Sequence, residues 1–445
     1  MVMDCRDEPG NDYGGESIVA RTGLLGRRAV NVIVLGGGVV GIATAYYLAE
    51  DGHDVTVIDR QQEAACETSL GNAGLVSPGD SYAWASPEAL RMFVKSLYRR
   101  DLGISVRPSL DPHFLAWTGK FLLQCTHARA RVNTLRKLRI ALYARDCINA
   151  LEARTGIDYH SAKHGILYFY RSQASLDHGA AHMRLLAENG LKIEVVDRNR
   201  LAEIEPALET ARDSLAGGIY SPMDQTGDSA EFSRRLADWL AANRNVRFSW
   251  LTTVTGIEIE NGKVSCVLTD KGSFCADAYV LAMGADSALI ARPIGIRLPI
   301  YPVKGYSITV SIREPGLAPR LGGVDEDKLI AYSRLGDRLR IASTAEFAGY
   351  DRSHEPRNFR AVMALAKELF GGALDLAQVE YWAGLRPMTP TSVPILGPAR
   401  YGNFHLNVGH GHVGWTMAAG TGKFVADLIA GRKPEIDPEG LTYEG

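Results

Sequence analysis

The 445-residue chain has few cysteines, almost no net charge, and no evident repeat or low-complexity segment. Its six cysteines are scattered and form no C-x-x-C pair, and no further ligand gathers around neighbouring Cys125 and His127. We therefore expect reduced thiols in a cytosolic protein. A formal net charge of −2 gives no basis for bulk nucleic-acid binding. The length exceeds one ordinary core and the hydrophobic fraction of 46% is typical of globular proteins, so we expect two domains.

The uncharged run Ala29–Ala49 meets a simple length test for a membrane-spanning helix. The preceding Arg27-Arg28 pair resembles a twin-arginine export signal. Spaced glycines and a matching second strand instead indicate a soluble βαβ unit, which cleavage at this point would destroy. Residues 1–30 are polar and unpatterned, and we expect a disordered extension or a misassigned start.

The strongest motif spans Asn31–Asp59 and reads NVIVLGGGVVGIATAYYLAEDGHDVTVID. An apolar strand leads into glycines 36, 38 and 41, which have the G-x-G-x-x-G spacing, and then into an apolar helix. These glycines permit a tight turn, close approach to a pyrophosphate, and helix–strand packing. The helix N-terminus attracts phosphate, and Asp59 ends a second strand where a carboxylate accepts hydrogen bonds from ribose hydroxyls. The segment predicts a dinucleotide site in a Rossmann-like α/β domain.

A basic amphipathic segment lies between Arg91 and Arg145, where twelve lysines and arginines face two aspartates and leave a local net charge of +10. Apolar and aromatic residues such as Phe93, Tyr98 and Trp117 interleave with these charges. Such a stretch suits an anionic membrane surface. It is equally typical of a solvated helical face whose charges meet acids elsewhere in the fold, and both interpretations stay open.

Shorter signals outline the rest of the chain. Apolar periodicity predicts helices over Pro87–Arg99, Ala128–Thr155 and Thr416–Ala430. The Asn261-Gly262 pair between two alternating runs predicts a tight β-hairpin.

Five ordered blocks give the chain a family resemblance. Beside the first motif they are Glu67–Gly79 (ETSLGNAGLVSPG), Tyr301–Thr309 (YPVKGYSIT), Gly384–Pro390 (GLRPMTP) and Asn407–Gly422 (NVGHGHVGWTMAAGTG). With them the chain resembles the D-amino acid dehydrogenases, within the wider D-amino-acid oxidase and glycine oxidase group of FAD enzymes. The resemblance implies a non-covalent FAD and a Rossmann-like FAD-binding domain interleaved with a second α+β domain on a mainly antiparallel sheet.

The resemblance also divides the chain. It assigns residues 31–85, 217–287 and 397–431 to the FAD-binding domain, and residues 86–216 and 288–396 to the substrate domain; residues 432–445 form a tail. The implied cofactor contacts comprise the first glycine turn, the small-residue loop after it, and single later positions. They are Gly36, Gly37, Gly38, Val39, Val40, Gly41, Asp59, Arg60, Thr68, Ser69, Asn72, Ala73, Gly74, Leu75, Val254, Gly284, Gly411, Gly414, Trp415 and Thr416.

Arg386 is the residue that indicates what kind of substrate is bound. An arginine in the apolar, proline-stiffened GLRP segment is costly to bury without an anion, and its planar fork suits a carboxylate. The resemblance places it over the flavin as a clamp for the α-carboxylate, although a structural salt bridge is the alternative. Tyr306 would contact the same carboxylate, and His410 would lie near the flavin. Lys304 is expected to be a solvated surface residue outside the catalytic set.

The implied reaction is FAD-dependent oxidation of D-amino acids to 2-oxo acids and ammonia, by hydride transfer from Cα to flavin N5. A glycine or sarcosine-type oxidase and a D-hydroxyproline dehydrogenase share every block and stay open, as do an NAD-dependent dehydrogenase and a non-catalytic module. We expect a non-oxygen respiratory acceptor, with a quinone suggested by the basic segment, and a cytoplasmic location that includes peripheral binding to the inner face of the plasma membrane. No metal is expected, because no cysteine or carboxylate completes a site around His405, His410 and His412. Oligomeric state is not readable from the sequence.

Overall fold

The computed structural model describes residues 29–90, 104–107 and 109–444. Its α-helices are α1 (Val39–Glu50), α2 (Pro112–Gln124), α3 (His127–Thr155), α4 (Gln173–Ala187), α5 (Arg198–Ile204), α6 (Ser229–Asn243), α7 (Ser287–Ala291), α8 (Arg360–Phe370) and α9 (Gly414–Ile429). The expected extension at residues 1–28 and most of the helix predicted over Pro87–Arg99 lie outside the described residues. Among the described helices, none combines the length and apolarity needed to cross a bilayer.

The strands fall into two main sheets and two small ones. They are β1 (Asn31–Leu35), β2 (Asp54–Ile58), β3 (Leu75–Val76), β4 (Ile104–Val106), β5 (Ile166–Tyr170), β6 (Glu194–Asp197), β7 (Gly217–Ser221), β8 (Gln225–Thr226), β9 (Val246–Ser249), β10 (Val254–Glu260), β11 (Lys263–Thr269), β12 (Gly272–Cys275), β13 (Ala278–Leu281), β14 (Tyr301–Ile312), β15 (Gly322–Asp325), β16 (Ile330–Leu335), β17 (Arg338–Phe347), β18 (Leu374–Met388), β19 (Ile395–Pro398) and β20 (Phe404–Val408).

The first main sheet has the strand order β19-β20-β13-β1-β2-β9 and is parallel except at β19. Both of its faces are covered. In β1, Val32 and Val34 pack into the core beneath α1 and α9, while Ile33 and Leu35 pack into a second core with β10, β11 and β20. A strand buried on both faces is apolar throughout. The uncharged run in the sequence is therefore strand and helix of a Rossmann-like unit.

The second main sheet has the order β18-β14-β17-β16-β15-β5-β7-β6, with β4 paired to the end of β17. Its pairs are antiparallel except β5–β15 and β4–β17. Helix α8 and the Pro206–Ser214 segment cover one face through an apolar core. The mixed α/β class predicted from the sequence is confirmed. Strand β7 (Gly217–Ser221) belongs to this sheet, although the sequence assigned it to the FAD-binding part; the other domain limits stay predictions.

Several local predictions agree closely with the structure. The long predicted helix is α3, and the last one is α9, which Gly431 follows with a φ of 65°. The Asn261-Gly262 turn joins β10 to β11, and both residues have positive φ, as this type of turn requires.

The cysteine expectation is wrong for two residues. Cys266 and Cys275 face each other across the β11–β12 pair and form a disulfide, whereas Cys66, Cys125 and Cys147 are free thiols. The sequence alone does not show that these two cysteines face each other, because their pairing depends on the strand register.

Candidate active site

One large cavity of about 800 Å³ lies between the two main sheets. The carboxyl ends of β1 and β2 and the N-termini of α1 and α9 line one side, and β14, β16, β17 and β18 line the other. Ligands of open parallel sheets bind at the carboxyl ends of the strands, so this is the expected position of a dinucleotide. Every predicted cofactor residue except Gly37, Gly41 and Gly74 lines the cavity.

The glycine turn allows no side chains at its key positions. Gly36 has a φ of 109°, and a Cβ there would lie 2.5 Å from the Ala282 carbonyl oxygen. A Cβ on Gly41 would collide with the carbonyl oxygen of Gly36. These two glycines bring α1 against β1, although Gly41 itself stays out of the cavity.

The N-terminus of α1 opens into the cavity. Its first turn has no acidic residue and its N-cap, Gly38, has no side chain to cap the free N–H groups. The Val39 N–H donates to Ser69 Oγ over 3.1 Å. Free N–H groups and the helix dipole attract a phosphate here.

Asp59 lies at the end of β2 and is held by two backbone hydrogen bonds. Its Oδ2 accepts from the Gly37 N–H at 2.6 Å and its Oδ1 accepts from the Gln61 N–H at 2.8 Å. Burial raises the pKa of Asp59 despite these bonds. Gly37 therefore acts by orienting the carboxylate, which ribose hydroxyls can then approach.

Arg60 has protein partners. Its guanidinium contacts Glu67 at 2.5 Å and Asp286 at 2.7 Å, and all three residues line the cavity. Asp286 ends a short turn that begins at Gly284, whose φ is 55°. Arg60 thus links the predicted Gly284 turn to the cavity wall.

The small-residue loop after β2 is fixed at both ends. Thr68 Oγ1 donates to the Leu385 carbonyl at 3.0 Å, and Asn72 Oδ1 accepts from the Gly74 N–H at 2.8 Å. Gly74 has a φ of 78°. The loop therefore reaches the strand that carries Arg386, and Ala73 and Leu75 line the cavity along it.

The C-terminal block supplies a second open helix end. Gly414 begins α9, and neither an acidic residue nor a capping side chain occupies its N-terminus. Thr416 Oγ1 accepts from the Ser77 N–H at 3.1 Å, and Trp415 Nε1 donates to the Gly227 carbonyl at 3.1 Å. Gly411, with a φ of 62°, directs the chain past the cavity. This helix end can stabilise negative charge on a bound ring system.

His410 is buried beside α9, where its Nε2 lies 3.0 Å from Thr421 Oγ1. Burial lowers its pKa to about 3, so the ring is neutral at ordinary pH. Val254 is also buried and lines the same cavity.

Arg386 extends from β18 across the neighbouring strand. Its guanidinium lies over Gly305 of β14, where a Cβ would be only 2.5 Å from Arg386 Cζ. Burial lowers the pKa of Arg386 to about 10, with Asp80 opposing that change. Because Gly305 has no side chain, the guanidinium has room to lie over it and face the cavity.

Tyr306 lines the cavity, and its hydroxyl donates to Glu346. Arg107 binds the other oxygen of Glu346 at 2.8 Å. The surface interpretation of Lys304 is wrong, because this residue has no exposed surface and its ammonium binds Asp351 at 3.1 Å. Both sides of β14 are covered by paired strands and by the chain around Asp351, which the local sequence does not reveal.

Sequence reasoning missed one part of the cavity. Asp80, Tyr82, Glu326 and His412 all line it, and Lys137 is completely buried nearby with its ammonium bonded to the Tyr82 carbonyl. In the sequence, the one indication for Asp80 is that it directly follows the Glu67–Gly79 block. In the described part of the chain, no cluster of three or more histidines, cysteines and acids is arranged to hold a metal.

The residues present fit a dinucleotide with an attached ring system. Two uncapped helix N-termini face one cavity, glycines leave the turn open, and a buried carboxylate ends the second strand. FAD has this chemistry: a pyrophosphate, ribose hydroxyls and a ring that carries negative charge when reduced.

Comparisons with known proteins agree with this assignment. The model of the family described as "DAO: FAD dependent oxidoreductase" matches residues 31–428. D-amino acid dehydrogenase 2 of Mesorhizobium japonicum is 57% identical over 416 residues, which cover 94% of this chain and all of that protein. D-amino acid dehydrogenase of Paramagnetospirillum magneticum is 45% identical over 93% of this chain and 98% of its own length.

A solved structure shows the same fold. Glycine oxidase from Geobacillus kaustophilus superposes with a TM-score of 0.72 at 24% identity and covers 93% of this chain and 98% of its own. The chain therefore belongs to the DAO family of FAD-dependent oxidoreductases.

Proposed function

We propose that the protein is an FAD-dependent D-amino acid dehydrogenase, which converts D-amino acids to 2-oxo acids and ammonia. The relatives with 57% and 45% identity over nearly the whole chain carry this name. The observation that carries the proposal is the Arg386 guanidinium, which lies over Gly305 and faces the cavity that also holds the dinucleotide-binding residues. A cation so placed serves a substrate carboxylate, which a mere nucleotide-binding module does not need.

The two helix N-termini would hold the cofactor. The α1 end, with Gly38 and Val39, would bind the pyrophosphate, while Asp59 would accept hydrogen bonds from ribose hydroxyls. The α9 end, with Gly414 and Thr416, would face the ring system. FAD, when bound, supplies an acceptor for the hydride that leaves the substrate Cα.

Arg386 would bind the α-carboxylate through two parallel hydrogen bonds and so fix the orientation of Cα. Tyr306 would close the same pocket, since its hydroxyl is already oriented by Glu346. His410 would contribute as a neutral group beside the ring, because its pKa of about 3 excludes proton transfer near neutral pH. The substrate loses a hydride from Cα and a proton from its neutral amine, and water then hydrolyses the imino acid to the 2-oxo acid and ammonia.

The electron acceptor would be a molecule other than oxygen, and we favour a quinone reached by peripheral binding to an anionic membrane. Helix α2 exposes Leu115, Leu122 and Leu123 at 52%, 45% and 65% of their surface. Two cations lie nearby in the sequence, Lys120 in the same helix and Arg129 in the first turn of α3. An apolar face with cationic neighbours suits an anionic lipid surface.

Other described members of the basic segment contact acids of the fold instead. Arg107 binds Glu346 and Asp351, and Arg136 and Arg139 bind Glu439 and Asp437. Within the described residues, the surface would thus be limited to the α2 region. Co-sedimentation with vesicles of phosphatidylglycerol tests it: Leu122→Ser/Leu123→Ser should lower binding several-fold, and binding no better than to neutral phosphatidylcholine would contradict it.

The central test is anaerobic bleaching of the visible flavin spectrum by D-alanine, L-alanine, glycine and D-proline in turn. Bleaching by the D-amino acids alone is expected. Bleaching by glycine and not by D-alanine would favour a glycine oxidase-type activity, bleaching by D-proline alone would favour a cyclic substrate, and a colourless purified protein would contradict the FAD assignment.

A further inference from the structure

A second group of polar residues lines the cavity and has no part in the proposed reaction. Asp80 ends the short helical turn Pro78–Asp80, Tyr82 follows it, Glu326 follows β15, and His412 precedes α9. We call these four residues the acidic end of the cavity. They come from three separate parts of the chain, and the fold brings them to the same cavity as Arg386.

Two polar side chains of the acidic end make no hydrogen bond with the part of the chain that the structure describes. His412 is 90% buried (10% exposed), and neither ring nitrogen makes a hydrogen bond within the described residues; the nearest carboxylate oxygen, Asp80 Oδ2, is 3.7 Å away. The buried Tyr82 hydroxyl is also without a partner there. Buried polar atoms are normally satisfied, so unsatisfied ones beside a cavity indicate a polar ligand.

The charges of the acidic end favour a cationic ligand. Asp80 and Glu326 face the cavity, and Asp224 lies behind them, bound to the Gly79 N–H and the Tyr168 hydroxyl. Among the described residues, Lys137 and Arg386 are the buried cations near these acids, and Arg386 is assigned to the substrate carboxylate. Burial and the neighbouring carboxyls raise the pKa of Glu326 to about 8, because this group has no cation paired with it in the described structure. An ammonium or guanidinium ion would offset the repulsion between the acids.

Other titratable groups near Asp80 do not remove the need for a cationic ligand. Burial alone would raise the pKa of Asp80, but His412, Lys137 and Arg386 outweigh it and lower that pKa. Burial and Lys137 lower the pKa of His412, so its ring is neutral and offers one acceptor nitrogen. The acidic end is therefore a set of hydrogen-bond acceptors: two carboxyls, one imidazole nitrogen and one phenol oxygen.

The register of the second sheet separates Glu326, one member of the acidic end, from the carboxylate clamp. Tyr306 of β14 pairs with Ser343 of β17, which pairs with Ile330 of β16, which pairs with Asp325 of β15. Gly305, beneath the Arg386 guanidinium, and Glu326 each lie one residue from the ends of this row. Three inter-strand steps of roughly 4.8 Å separate the two points by about 14 Å. The glutamate side chain shortens that distance, and a long extended substrate side chain can span the rest.

We propose that the acidic end binds the cationic group of a substrate side chain, so that the enzyme prefers basic D-amino acids such as D-lysine, D-ornithine and D-arginine. The inference rests on the proposed function, since Arg386 must hold the α-carboxylate. One substrate would then satisfy both ends: its carboxylate would bind Arg386, and its terminal nitrogen would donate to Asp80 and Glu326.

The test compares D-lysine with D-norleucine, which has the same carbon chain without the terminal ammonium. The kcat/KM of each is measured with the FAD-loaded enzyme and an artificial electron acceptor, and flavin bleaching is measured anaerobically. We expect D-lysine to be favoured at least about tenfold, which corresponds to one charge-assisted hydrogen bond. Glu326→Gln and Asp80→Asn should each reduce the ratio of the kcat/KM for D-lysine to that for D-norleucine several-fold.

Asp337→Asn is the matched control, because it removes the same charge at an exposed position in the turn between β16 and β17, outside the cavity lining. Its preference for D-lysine should equal that of the wild type. Equal kcat/KM values for D-lysine and D-norleucine in the wild-type enzyme would overturn the inference, whether or not the variants fold. A preference retained in both variants would also overturn it. If neither amino acid bleaches the flavin, the proposed function itself fails, whereas bleaching by D-norleucine without a lysine preference leaves that function intact.

Discussion

Gly305→Ala tests the carboxylate clamp without removing its charge. The new methyl carbon would lie 2.5 Å from Cζ and Nη2 of Arg386, whereas ordinary contacts begin at 3.4 Å. The backbone of Gly305 is not in the left-handed region, so alanine introduces no strain of its own. The guanidinium must therefore move by about 0.9 Å, and displacements near 1 Å cost about 10²-fold in rate, or about 2.7 kcal/mol of transition-state stabilisation.

The assay measures FAD content, substrate affinity in anaerobic titrations and kcat/KM for D-norleucine or another D-amino acid that the enzyme oxidises. We expect normal FAD content and a kcat/KM lowered about a hundredfold. Arg386→Lys should have a larger effect, since lysine keeps the charge but loses the planar fork. Gly256→Ala is the control: this strand glycine lies in another sheet, and its added methyl would make only a 3.5 Å contact with Leu268. A Gly305→Ala enzyme within twofold of wild-type kcat/KM would show that Arg386 does not hold the substrate.

Three further predictions concern cofactor binding, pH and the disulfide. Gly41→Ala should yield protein without bound FAD, seen as loss of the visible spectrum, because its methyl would collide with the Gly36 carbonyl. Burial lowers the pKa of Lys137 to about 7 from 10.5, so the folded state binds fewer protons between these values and wild-type stability rises with pH across that window. Lys137→Met should abolish this rise. In thermal unfolding, the melting temperature of this variant should exceed that of the wild type by more at pH 6 than at pH 9. Cys266→Ser/Cys275→Ser should lower stability by about 2–3 kcal/mol in denaturant titrations, with kcat unchanged.

The cofactor side of the cavity was predictable because its signals are local. The strand, glycine turn, helix and Asp59 all fall within Asn31–Asp59, and each residue type has a distinct conformational or hydrogen-bonding reason to be there. The C-terminal glycines that precede α9 carry a similar signal. Short-range patterns also predicted the Asn261-Gly262 turn, since positive φ at both residues is a property of that dipeptide.

Burial and pairing that depend on tertiary packing or on strand register were not predictable. Lys304 was expected at the surface, but Asp351 and the Ser353 carbonyl satisfy its ammonium inside the fold. The Cys266–Cys275 pair depends on the register of β11 and β12. For Asp80 and Glu326, nearly 250 positions apart, no pattern in either local sequence indicates that they line one cavity.

The cofactor side and the substrate side of the cavity are built differently, and this affects how substrate preference can change. The cofactor side is built from continuous segments, so most substitutions there disturb the fold of α1 or α9 as well as FAD binding. On the substrate side, the polar residues that face the cavity come from separate strands and loops: Arg386 from β18, Tyr306 from β14 and Glu326 after β15. A change at Glu326 can alter the preferred side chain without moving Arg386 or the FAD-binding turn. Family membership therefore indicates the cofactor and the class of oxidoreductase, whereas the preferred amino acid would, on our proposal, depend on the acidic end of the cavity.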